Sequence, residues 1–139
     1  MAIATTECLN GELKLNDRVI SDPKTPFGGL FGVVEEIRKV GSAYHHGETD
    51  CDEVYVDLDI VQYSDERQVE LLKELKPQLE KYFIHVETWE ELHPHFKDIA
   101  FDPFDLLKVD RIMDSTMRME FLESRENVEH IWKELVEKS

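Results

Sequence analysis

Cysteine is scarce in this chain: Cys8 and Cys51 are the two in 139 residues. They are neither dense nor spaced as a metal-binding motif. That excludes a disulfide framework and a zinc finger, and we read both as reduced thiols. Basic charge is also short. Lys and Arg number 16 against 31 Asp and Glu, leaving a net charge of −15. Nucleic acid and anionic membrane would repel such a chain, because both are bound by basic groups that displace counterions. We therefore expect neither direct nucleic-acid binding nor membrane binding; the natural partner is a basic protein surface, or a cation. No apolar run approaches the ~18 residues of a membrane helix. Met1 to Asn10 has no basic region and no apolar stretch, so no secretory signal is expected and the expected location is the cytoplasm. Gly 6 and Pro 5 are too few for a low-complexity or collagen-like chain.

What is present is globular. Hydrophobic residues make up 41% and charged residues 34%, enough for one domain of this length to bury its own core without a staple. The expected class is α+β: a small, curved antiparallel sheet over residues 1–63, followed by several short helices over 64–139 that pack on it, all in a single domain spanning 1–139. Leu13 to Ile20 reads as a first strand. Asp22-Pro23 and Pro26 break the chain into a loop, and Gly28 and Gly29 provide a turn. Leu30 to Val40 reads as a second strand. Glu53 to Val61 reads as a third, with Val54, Val56, Leu58 and Ile60 on one face and Glu53, Tyr55, Asp57 and Asp59 on the other.

Ser64 is placed to cap a helix whose first turn is acidic, with Val69, Leu72, Leu75 and Leu79 at helical spacing and Leu71 widening the stripe. Pro77 is expected to kink this helix or to start a second one. Tyr82 to Val86 reads as a short strand. Thr88 with Glu91 forms a capping box that opens a short helix before Pro94. Asp102-Pro103 predicts a helix from Pro103 to about Ile112. Over Asp114 to Glu123 the alternation of Met117, Met119 and Phe121 favours an extra strand (115–123), although the same residues fit a helix. Ser124 then caps a final helix with the stripe Val128, Ile131, Trp132, Leu135 and Val136.

Asp17 to Ile37 resembles the opening of a KOW-type SH3-like barrel. The matching residues are Asp17, Val19, Gly29, Gly32, Val34 and Ile37, an Asp-x-Val start and a Gly-x-x-Gly-x-Val-x-x-Ile strand. The resemblance implies a bent second strand and a small barrel-like sheet. That family mostly binds RNA, ribosomes or polymerase through basic surfaces. Here Gly41 to Glu66 holds eight acidic residues and no Lys or Arg, so nucleic-acid binding is not carried over.

Two constellations are candidates for function. The first is the acidic tract Glu48, Asp50, Asp52, Glu53, Asp57 and Asp59, with Tyr55 as a central aromatic anchor. Asp57 and Asp59 stand about 6.6 to 6.8 Å apart on one strand face, on the order of the step between successive phosphates. An outward row of this kind could fill a basic groove built for DNA or RNA. The bland alternative is the solvated face of a half-buried sheet. The second is the loop His45-His46-Gly47-Glu48-Thr49-Asp50-Cys51-Asp52, whose two imidazoles, thiol and three carboxylates suit a divalent ion but match no known spacing. If it holds metal, His45, His46 and Cys51 are the ligands. His93 and His95 straddle Pro94 near Glu91 and Asp98, with no nucleophile paired to them by sequence. Gly28 to Gly32 lacks the Lys-Ser/Thr of a phosphate loop and leads into a strand. The methionines Met113, Met117 and Met119 read as core filler.

The expected function is that of a non-enzymatic acidic binding protein without a cofactor. Its most concrete form is a phage or mobile-element inhibitor that blocks a nuclease of the restriction or CRISPR type by nucleic-acid mimicry. An SH3-like interaction module and a metal-dependent enzyme built on the His/Cys loop are the alternatives.

Overall fold

Contiguous apolar pairs and alternating apolar residues mark different parts of one sheet. A pair such as Val19-Ile20 puts an apolar side chain on each face, so both faces there must be covered; strict alternation leaves one face to water. The computed structural model, which describes residues 5–25, 27–40, 51–59, 63–110 and 125–138, has that arrangement. Its strands are β1 (Thr5–Cys8), β2 (Gly11–Lys14), β3 (Arg18–Ser21), β4 (Phe31–Arg38), β5 (Glu53–Leu58), β6 (Ile99–Phe101) and β7 (Leu106–Lys108). Its helices are α1 (Asp65–Glu80), α2 (Trp89–Leu92) and α3 (Arg125–Lys138), with 3-10 turns at His93–Phe96 and Pro103–Asp105. β1 and β2 form a separate hairpin, and the remaining five strands form an antiparallel sheet in the order β6-β5-β4-β3-β7. The class is α+β, as expected. The division near residue 63 is less clean, because β6 and β7 come from the second half and complete the sheet at both edges.

One face of the sheet carries Val19, Val34, Val54, Val56, Leu58 and Leu106, and it packs on Leu71, Leu75 and Leu79 of α1 and on Leu92 and Phe96. Each such leucine contributes roughly 1.5–3 kcal/mol by leaving water. On the opposite face, Ile20, Phe31 and Leu107 are covered by Val109 and by Ile131 and Trp132 of α3. This second core sits over the β3–β7 end of the sheet. The β5 end alternates between buried and half-buried positions, and its outer face forms the candidate site.

Two glycines set the β3–β4 corner. Gly29 has φ 72, a left-handed angle that costs other residues energy. At Gly32 an added Cβ would lie 2.5 Å from Val56 Cγ1 and 2.7 Å from the Asp57 carbonyl, so β4 and β5 approach this closely because no side chain separates them.

Several expected elements are corrected. Leu13 to Ile20 is two strands, because Asn16 takes φ 74, and the chain turns between Lys14 and Arg18. The third strand ends at Leu58, and Ile60 lies outside the described residues. α1 runs unbroken through Pro77 to Glu80. Pro77 and Lys73, whose carbonyl lacks its usual donor, are both on the exposed side, where water replaces the lost bond. Its buried stripe is Arg67, Leu71, Leu75 and Leu79, while Val69 is 65% exposed. Tyr82 to Val86 is turn and irregular chain, with Phe83 at φ 62. Pro103 opens a single 3-10 turn whose end is drawn into β7, because pairing with β3 outweighs the local helix signal. The expected strand at 115–123 and the Ser124 cap lie outside the described residues. Among the described residues, neither cysteine is in a disulfide and no helix is long and apolar enough to cross a membrane.

Candidate functional site

A β-bulge builds the site. β4 and β5 pair Val34 with Val56 and then Glu36 with Tyr55, so Glu35 is an extra residue opposite no partner. The sequence Val34-Glu35-Glu36-Ile37 carries the cause. Val34 and Ile37 both face the core, a spacing of three in a strand whose period is two, and the surplus residue must bulge. Both glutamates therefore lie on the outer face, exposed. Glu35 meets Asp57 from β5 and Asp98 from the turn before β6, and carboxylate oxygens of all three lie within 4.8 Å of one another.

Asp98 is fixed by its backbone. It takes φ 56, and its N–H donates to Asp57 Oδ1 at 3.0 Å. This crowding of like charge holds the Glu35 carboxyl at about 7 rather than 4.5: a hydrogen bond to Asp98 is the largest cause, then loss of water, then Asp57. Among the described residues no lysine or arginine pairs with Glu35, Asp57 or Asp98.

The expected row of carboxylates does not stand alone. The Arg18 guanidinium donates to both carboxylate oxygens of Asp59 in a bidentate pair, at 2.9 and 2.7 Å. Asp52 accepts from the Thr6 hydroxyl, from the Val40 N–H at 2.9 Å and from the Lys39 ammonium at 3.1 Å. Burial alone would raise its pKa, but those bonds outweigh burial and hold it low. Tyr55 is no bare anchor either. The Arg38 guanidinium lies 4.3 Å over its ring and donates to its hydroxyl at 3.1 Å, while the Arg38 Nε–H donates to Glu36 at 2.7 Å. Glu53 pairs in register with Arg38. Of the expected row, Asp57 is the member drawn into the cluster. Glu48 and Asp50, with His45 and His46, lie outside the described residues.

The remaining candidates are dispersed. Cys51 Sγ donates to Asp102 Oδ1 at 3.3 Å. The His93 ring stacks edge-on to Trp89 at 5.1 Å, in an aromatic cluster with Tyr63 and Phe96. His95 lines a groove that borders the cluster at Asp98.

Three close carboxylates can take a hard divalent cation or a cationic side chain. Glu35 and Asp98 are exposed and Asp57 is half-buried. Calcium wants 6–8 oxygens, more than three carboxylates supply, whereas magnesium keeps several waters of its own. A guanidinium or ammonium needs no such shell and answers the same charge. No protein-family model, no curated protein and no solved structure matches this chain.

Proposed function

We propose that this protein is a non-enzymatic acidic binding protein whose open sheet face occupies a basic groove of a nucleic-acid-binding enzyme, in the manner of a phage or mobile-element inhibitor of a restriction or CRISPR nuclease. The observation that supports this is the cluster Glu35–Asp57–Asp98: three carboxylates within 4.8 Å, two on strand backbone and one on the turn before β6, with no described lysine or arginine paired to them. Arg38, which lines the same depression, is engaged by Glu36 and Tyr55. The cost of holding like charges together is relieved when a partner's arginine or lysine enters, so binding is favoured where basic groups are dense. A net charge of −15 would steer the encounter and make it fast and salt-sensitive. The centre of this face is the bulge of β4 and the middle of β5, since Arg18 and Lys39 already neutralise Asp59 and Asp52.

The test is competition. Purified protein is titrated into restriction and CRISPR nucleases bound to a labelled duplex. The expected result is displacement of the duplex from at least one, weakening steeply with salt, abolished by Glu35→Lys with Asp57→Lys and little changed by Asp59→Asn. Displacement that survives the double reversal, or none across the panel, contradicts the proposal.

A further inference from the structure

The sheet has two edges, and the described residues treat them differently. At the β7 edge the N-terminal hairpin blocks access. The Leu106 carbonyl accepts from the Leu9 N–H at 3.4 Å, and the Asn10 side-chain amide takes both the N–H and the carbonyl of Lys108, at 2.7 and 2.8 Å. Covering an edge in this way prevents other chains from pairing with it. β6 forms the other edge. It pairs with β5, and among the described residues no hydrogen bond reaches its outer side.

That outer side opens on a groove of about 560 Å³. Phe27 and Leu79 give it an apolar lining, with Gln78 and Tyr82 at the end of α1 opposite the strand. Tyr82, in the lining, is 76% exposed. Asp98, Asp102 and Asp105 outnumber Lys97 around it, with His95 beside them. Asp105 is pushed above the ordinary carboxylate range by burial, then by Asp102 and Asp22, a repulsion that an incoming cation relieves.

We propose that β6 is a docking edge for an extended basic segment of a partner protein, which adds a strand beside Ile99–Phe101 with arginine or lysine against Asp102 and Asp105 and its alternate apolar residues over Leu79 and Phe27. Strand addition takes affinity from main-chain hydrogen bonds and specificity from alternate side chains, and an acidic rim selects basic alternates. The inference rests on the reading that the partner is basic. The groove adjoins the Glu35–Asp57 face at Asp98, which borders both, and the contacts it adds are those to β6, Asp102 and Asp105.

The probe is a peptide of alternating arginine and valine, measured by calorimetry and by amide hydrogen exchange on the full chain. Expected is binding that protects the amides of Ile99 to Phe101, falls by more than about tenfold when alternate peptide nitrogens are methylated, falls similarly in Asp102→Asn with Asp105→Asn, and persists in Glu35→Gln with Asp57→Asn. The methylated peptide leaves the protein untouched, so this arm does not depend on how the variants fold. Equal binding of methylated and unmethylated peptide overturns the docking edge. So does a dimer of this chain that buries β6 without peptide. Loss in Glu35→Gln with Asp57→Asn but not in Asp102→Asn with Asp105→Asn also overturns it, while leaving the outer-face reading intact.

Discussion

Replacing Glu35 by glutamine should make the protein more stable at alkaline pH and leave it unchanged in acid. The folded state holds this carboxyl at about 7 against an ordinary 4.5. An acid with a raised folded-state pKa keeps its proton more tightly folded than unfolded, so folding is penalised as pH rises through that interval and is unaffected below it. At full strength a displacement of that size would cost on the order of 3 kcal/mol. Glu35 is exposed, and water and salt screen the repulsion, which leaves about 1 kcal/mol. Glutamine keeps the shape and removes the charge. Urea unfolding of the two proteins should therefore agree within about 0.3 kcal/mol near pH 4.5 and differ by about 1 kcal/mol in favour of Glu35→Gln near pH 8, a gap that narrows in high salt. An equal difference at both pH values, or a less stable variant at pH 8, would refute the proposed clustering of Glu35 with Asp57 and Asp98.

Gly32→Ala should destabilise by about 1–3 kcal/mol, because its methyl would fall 2.7 Å from the Asp57 carbonyl; chemical unfolding within about 0.5 kcal/mol of wild type would show that β4 and β5 are not so close. Arg67 is 1% exposed, its Nε has no partner among the described residues, and its remaining bonds are long, 3.4 Å to Gly28 and 3.5 Å to Glu70. Arg67→Met should be neutral or stabilising by about 0–2 kcal/mol, and a clear fall in Tm would reveal a stronger pairing than these distances give. Arg18→Ala should cost about 1–2 kcal/mol through its two bonds to Asp59. A double-mutant cycle with Asp59→Asn should return a coupling of about 1 kcal/mol, and zero coupling would restore Asp59 to the acidic face.

The β5 strand was legible because Val54, Val56 and Leu58 alternate with polar residues on a half-covered sheet, and α1 was legible from Ser64 and its leucines. The contiguous Leu106-Leu107 pair carried a strand signal like that of Val19-Ile20, but Asp102-Pro103 is a strong local helix opener and masked it; pairing with β3 decided the outcome. The split at Asn16 was less visible, since a left-handed asparagine leaves little trace beyond its identity. At the site, Asp57 could be read from its strand face. Glu35 could have been found from the three-residue spacing of Val34 and Ile37, which signals a bulge. Asp98 could not, because it reaches the cluster only through the β5–β6 pairing, which joins residues 41 apart in sequence. The neutralisation of Asp59 was hidden for the same reason: Arg18 lies 41 residues away.

The most direct measurement is an amide-resolved NMR titration of the protein with a polyarginine peptide. A basic partner at the open face predicts salt-sensitive shifts at Glu35, Glu36 and Asp57 that are lost in Glu35→Gln with Asp57→Asn, whether or not shifts at Ile99 to Phe101 persist. Shifts spread evenly over the acidic surface, or unchanged in that variant, would contradict it.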